Sequence, residues 1–89
     1  MDQAAFEAKL NKEGYVTEIS ELEAHCSRPP HTHPFDVAGM VLAGTLTLTC
    51  DGQPRTYGPG ERYIMAAGRQ HAEDVGADGV RYLVGRRKK

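Results

Sequence analysis

Threonine alternates with leucine or cysteine from Thr45 to Cys50, so Leu46, Leu48 and Cys50 fall on one side of an extended chain and the threonines on the other. Successive side chains of a strand point to opposite faces, and this pattern predicts a half-buried strand. The period recurs near the end of the chain, where Val80, Tyr82 and Val84 share a face in "VRYLVG". In "YVTEISEL", residues 15–22, Val16, Ile19 and Leu22 recur at a helical spacing, but the β-branched content and the preceding glycine favour a strand. Residues 3–12, "QAAFEAKLNK", read as a short helix: they are good helix formers, Phe6 and Leu10 lie on one face, and Gly14 supplies the stop.

Turn chemistry punctuates the rest. "DGQP" at 51–54 is a hairpin turn, and "YGPGE" at 57–61, "AAGRQ" at 66–70 and "GADG" at 76–79 are further turns. Gly44 marks a tight bend between two strands. Short strands separated by frequent turns, with almost no helix, predict an all-β sandwich or barrel. The chain divides into a helical segment at 1–14 and a single β domain at 15–89, with no repeats or internal linkers. At 89 residues it builds one modest core, so any site must share that core.

Composition narrows the function. The formal net charge is −1, from 11 basic and 12 acidic residues, which gives no global electrostatic case for nucleic acid or an anionic membrane. The tail "RRKK", Arg86 to Lys89, reads as a solvated, frayed terminus. No stretch has the length of apolar sequence a membrane span needs, and "MDQAAFEAKLNKEG" is polar and acidic where a signal peptide would be basic and then apolar. The expectation is a soluble, cytoplasmic protein whose Cys26 and Cys50 are reduced thiols, Cys50 as core filling.

The candidate chemistry lies in "PPHTHPFD", residues 29–36. Residues i and i+2 of an extended segment face one way, so His31 and His33 present both imidazoles to one point, as two metal ligands on one segment must. Pro30 and Pro34 restrict the backbone on either side and lower the entropy lost on ordering the pair. His71 begins a strand after the turn "AAGRQ", and its i+2 neighbour Glu73 then faces the same way, as a further ligand, an acceptor behind the ligands or a general base. His25 falls outside this pattern and reads as a solvent-facing side chain.

Together these residues resemble the two motifs of the cupin superfamily, small β-barrels of jelly-roll topology. The first motif runs glycine, five residues, H-x-H, three or four residues, glutamate, six residues, glycine; His31, His33 and Gly44 fall at its offsets. The second runs glycine, five residues, P-x-G, two residues, histidine, three residues, asparagine; Gly60, Gly68 and His71 match it, with Ala66 and Val75 in place of proline and asparagine. The first motif's opening glycine falls on His25 and its glutamate, usually a ligand, on Val37. Asp36 is the neighbouring carboxylate; strict strand parity turns it to the other face from His33, and a bulge at Pro34 would admit it as a substitute ligand.

The resemblance implies a cupin-type barrel with a short N-terminal helix and a three-histidine site, His31, His33 and His71, for a divalent transition metal: Zn, Fe, Mn, Ni or Cu. It implies a metalloenzyme of dioxygenase, isomerase or decarboxylase type acting on a small organic substrate, with Glu73 or Asp36 moving protons. The alternatives are a non-catalytic module that binds or senses a small ligand in a pocket lined by Val37, Val41, Leu46, Leu48 and Tyr82, and a plain dimerisation scaffold. Tyr57 and Tyr63 flank "GPGER" within reach of the barrel mouth and read as packing residues ahead of a catalytic role, and Arg62 and Arg69 are candidates to bind a substrate carboxylate. Small size and open sheet edges favour a homodimer, with the segment around Phe6 and Leu10 lying across the partner.

Overall fold

The computed structural model describes residues 2–88. One helix, α1 (Gln3–Lys12), precedes six strands: β1 (Val16–Leu22), β2 (Ser27–His31), β3 (Phe35–Cys50), β4 (Gln53–Tyr57), β5 (Arg62–Met65) and β6 (His71–Lys88). All pairings are antiparallel, in one sheet of order β1-β6-β3-β4, to which β2 adds on β6 and β5 on β3. The two long strands β3 and β6 pair with each other and are flanked at each end by a short partner. This is the expected all-β barrel with an N-terminal helix.

Helix α1 starts where Asp2 accepts a hydrogen bond from the Ala5 amide at 2.8 Å and ends with Lys9 and Lys12 beside its exposed carbonyls. Phe6 and Leu10 are buried with Tyr15, Ala38, Met40 and Leu83 in a cluster on the outer face of the sheet. The helix therefore packs on its own chain's sheet, where the sequence expectation laid it across a partner.

The inner face buries Val41, Leu46, Leu48, Val75, Val80, Tyr82 and Val84 with Tyr57, Tyr63 and Met65, and Leu22, Val37, Cys26 and Cys50 pack against them. Both cysteines are free and partly buried.

Three expectations need correction. Gly44 does not separate two strands: β3 runs through it, and the pairing with β6 shifts register on both sides, between Val41 and Ala43 and between Gly44 and Leu46. Gly44 has φ +79, and a Cβ there would collide with the Gly79 carbonyl, so the close approach of the two long strands at this irregularity requires glycine. "GADG" likewise lies inside β6 rather than ending a strand, because β2 pairs with the stretch before it and β1 with the stretch after it. The basic tail is not frayed: Arg86 and Arg87 pair with Val16 and Val37 and with Asp36 in the ladders, and Arg86 and Arg87 bond Glu18 and Asp36. Lys89 lies outside the described residues.

Candidate metal centre

Antiparallel pairing of β2 with β6 closes the gap that spacing alone could not, because it sets His31 directly opposite His71. The turn before His71 is tied to the other histidine segment by two bonds: the Gly68 amide donates to the His33 carbonyl at 2.8 Å, and the Ala67 amide to Asp36 Oδ1 at 2.9 Å. The three rings meet, with centroids 4.8 Å apart for His31 and His33, 4.4 Å for His31 and His71, and 5.2 Å for His33 and His71. His33 also stacks on Phe35, at 5.0 Å between centroids.

Each of two imidazoles is fixed by the carbonyl two residues before it. His31 Nδ1 lies 2.8 Å from the Pro29 carbonyl oxygen, and His71 Nδ1 lies 3.1 Å from that of Arg69. A carbonyl only accepts, so in the neutral rings Nδ1 carries the proton and Nε2 the lone pair. His71 Nε2 stands 3.6 Å from Glu73 Oε1, and the other Glu73 oxygen is 3.4 Å from the Arg28 guanidinium. One ligand atom from each of His31, His33, His71 and Glu73 falls within 4.8 Å of all the others.

These donors fit a divalent transition metal. Two have a lone pair oriented by a backbone bond behind the ring, the arrangement that accompanies metal-bound histidine. His71 is only 3% exposed, a burial a lone histidine rarely has. Burial lowers the His33 pKa below the ordinary imidazole value, and the neighbouring His31 and His71 lower it further. That favours the neutral, ligating form.

Asp36, the substitute ligand the sequence admitted, lies outside this group. Its Oδ1 takes the Ala67 amide and its Oδ2 the Arg87 guanidinium at 3.1 Å, so it braces the turn before His71 against β6. Strand parity held, and the carboxylate that joins the histidines comes from β6. Val37 instead turns an apolar side chain toward the core beside them.

A cavity of about 60 Å³ opens on this cluster, lined in part by His33, His71, Glu73 and Tyr63. Burial, then the neighbouring Tyr82, pushes the Tyr63 phenol above its ordinary range, so it stays a protonated donor at the wall. Gly39 makes room for that ring, since a Cβ there would collide with the phenol. Tyr63 and Tyr57, their rings 5.5 Å apart, are buried in the core cluster as the packing expectation has them, and Tyr63 lines the cavity as well. Arg62 and Arg69 do not reach this cavity; they line an open groove of about 670 Å³ beside α1, with Arg62 over the Phe6 ring and Arg69 by Asp51. The cavity's arginines are Arg28 and Arg86, which the sequence reading passed over. Extending the period of Val80, Tyr82 and Val84 by one step would have reached Arg86.

His25 is exposed, as expected, but its φ of +61 lies in the left-handed region. It takes the conformation for which the first motif supplies glycine, two positions before the strand that carries His31 begins at Ser27.

Residues 18–84 match the family model described as "Cupin domain". No curated protein matches the chain. Among solved structures, a protein of unknown function from Rhizobium leguminosarum bv. viciae superposes with a TM-score of 0.78 at 23% identity, covering 84% of this chain and 71% of that one. The polyketide cyclase RemF from Streptomyces resistomycificus gives 0.71 at 29% identity over 81% of this chain and 53% of its own. The DMSP lyase DddQ from Ruegeria pomeroyi gives 0.74 at 26% identity over 85% and 39%.

Proposed function

The chain belongs to the cupin family, and we propose that it is a metalloenzyme acting on a small organic substrate at a divalent-metal site formed by His31, His33, His71 and Glu73. The observation that carries this reading is the convergence of four ligand atoms within 4.8 Å of one another, three of them, from His33, His71 and Glu73, on residues that line a small cavity. The solved relatives named as a cyclase and a lyase, both above a quarter identical, support chemistry rather than passive binding.

A divalent ion held there supplies Lewis acidity. The chain's own groups do the rest. Nε2 of His31 and His71 is presented by the backbone bond at Nδ1. Glu73 completes the donor set or takes a proton from the substrate at Oε1, while Arg28 holds the other oxygen in place. The Tyr63 phenol, which lines the same cavity, is available to donate a hydrogen bond to the substrate. The apolar neighbours Val37, Leu48 and Met65 limit water at the reacting end. The reading includes a homodimer, supported by the edge position of β1 and by Val16, which is 77% exposed on it.

The test is elemental mass spectrometry of protein purified without an affinity tag or added metal, beside His31→Ala and His71→Ala. Near-stoichiometric metal lost in both variants, with turnover of small organic acids abolished by a chelator, is the expected result. Metal absent from the wild type even after reconstitution would overturn the reading, and metal-dependent ligand affinity without turnover would replace it with a sensing module.

A further inference from the structure

The stretch that reads as a charged tail forms part of the cavity wall. Tyr82 and Val84 face inward from β6, and Arg86, two residues on, continues that face and lines the same cavity as His33, Tyr63 and Glu73. The cavity's ionic lining is two guanidiniums, Arg28 and Arg86, and one carboxylate, Glu73. Glu73 has the Arg28 guanidinium 3.4 Å from one oxygen, while its other oxygen faces the His71 Nε2 lone pair at 3.6 Å, so among the described lining residues it matches one cation and leaves the charge of Arg86 in excess on the wall.

Arg86 is held by Glu18 on β1, which does not line the cavity. The described bond runs from one terminal nitrogen of the guanidinium to Glu18 Oε1 at 2.8 Å, and the two side chains are 45% and 57% exposed. Such a solvated pair is weak and exchanges readily. A guanidinium presents five N–H donors in a planar fork, so one bond to Glu18 does not use up its capacity, and a carboxylate is the anion whose shape matches the remaining edge. A metal in the cluster would add to the positive charge. A neutral ligand would gain less from this wall than an anion, and a cation would be repelled by it.

Resting on the proposed metalloenzyme reading, we infer that Arg86 is the anchor of the substrate and that the substrate is a small organic carboxylate, its acid group on Arg86 and its reacting carbon toward His31, His33, His71 and Glu73. The cavity volume of about 60 Å³ is small, which suits the reacting end of a short organic acid. Val37, in the place where a cupin glutamate is usual, leaves Glu73 as the one carboxylate among the described residues that line the cavity. Arg62 and Arg69, the cations the sequence offered for this task, lie in the groove by α1 and take no part.

The test is calorimetric titration of the Zn(II)-loaded protein with pyruvate and with its neutral amide, pyruvamide, for the wild type, Arg86→Gln and Arg86→Lys. Zn(II) affinity is measured separately by competition with a chromogenic chelator. The expected result is a preference of at least tenfold for the acid in the wild type, abolished by Arg86→Gln, partly kept by Arg86→Lys, with Zn(II) affinity the same in all three. Equal or undetectable binding of acid and amide by the wild type, or an undiminished preference in Arg86→Gln, overturns the inference. A wild type that takes up no Zn(II) defeats the metalloenzyme reading instead. The same titrations of the metal-free protein then decide the anchor: an acid preference that depends on Arg86 keeps it, and none removes it.

Discussion

The two faces of the sheet are built from the same strands and solve opposite problems. The outer face is covered by α1, and its cluster of Phe6, Leu10, Tyr15, Ala38, Met40 and Leu83 is apolar and closed. The inner face buries a comparable apolar set but opens at one end on three imidazoles and a carboxylate, with arginines at the rim. Alternation along β3 and β6 makes this division automatic, since Leu83 goes out and Tyr82 and Val84 go in. Both faces bury apolar side chains, but only the inner one also carries a polar cluster, and every described buried side-chain polar atom has a hydrogen-bond partner.

The largest effect should come from the closed face. Leu83 is fully buried, and Leu83→Ala removes its packing against α1 and leaves a cavity. A loss of about 3 kcal/mol is expected, which in a domain of this size lowers the melting temperature by roughly 10–20 °C. Metal affinity of the folded variant should stay at the wild-type value. Thermal denaturation with a metal titration below the transition checks both; a large fall in affinity would mean that the two faces are mechanically one unit and that their division of labour is wrong.

The open face should respond in the reverse sense. Glu73→Gln keeps the shape of the side chain and removes the charge that faces His71 and Arg28. Metal affinity should fall roughly tenfold to a hundredfold, while the metal-free melting temperature changes by only a few degrees, about the scale of one partly exposed ion pair. A competition titration and a melting curve in chelator separate these. An affinity equal to wild type would remove Glu73 from the ligand set and leave three histidines alone.

The same division explains what the sequence made legible. His31, His33, His71 and Glu73 were readable because i and i+2 parity is local, and the motif offsets placed both halves in order. The β2 to β6 pairing that brings His31 opposite His71 is not local, and nothing near either residue states it. Arg86 was hidden for a related reason. A run of four cations reads as a solvated tail, and Arg86 is indeed exposed; that β1 and β3 pair on either side of it and fix it beside the cavity is a property of distant segments. The glycines at 44 and 79 read as breaks because positive φ usually ends a strand; here each long strand gains a second short partner beyond the irregularity and continues. Asp36 shows the converse case, where plain parity was the better guide and the admitted bulge did not redirect it.

The smallest effect is a pH dependence confined to the open face. Burial, then His31 and His71, lowers the His33 pKa below the ordinary 6.5, so the folded chain binds this proton less readily than the unfolded chain does. Where the unfolded state holds more protons, stability rises with pH. The contribution of His33 is therefore fully present above about pH 6.5 and is lost as the pH falls through its lowered value. Metal-free protein in chelator should melt at a lower temperature at pH 5.5 than at pH 7.5, and His33→Gln should reduce that difference by about a few degrees at most, since the ring is only partly buried. Chelator is needed because bound metal adds its own proton competition at the same histidines. If His33→Gln leaves the pH difference unchanged, the three imidazoles do not crowd one another in the folded chain, and the open face is looser than the ring distances imply.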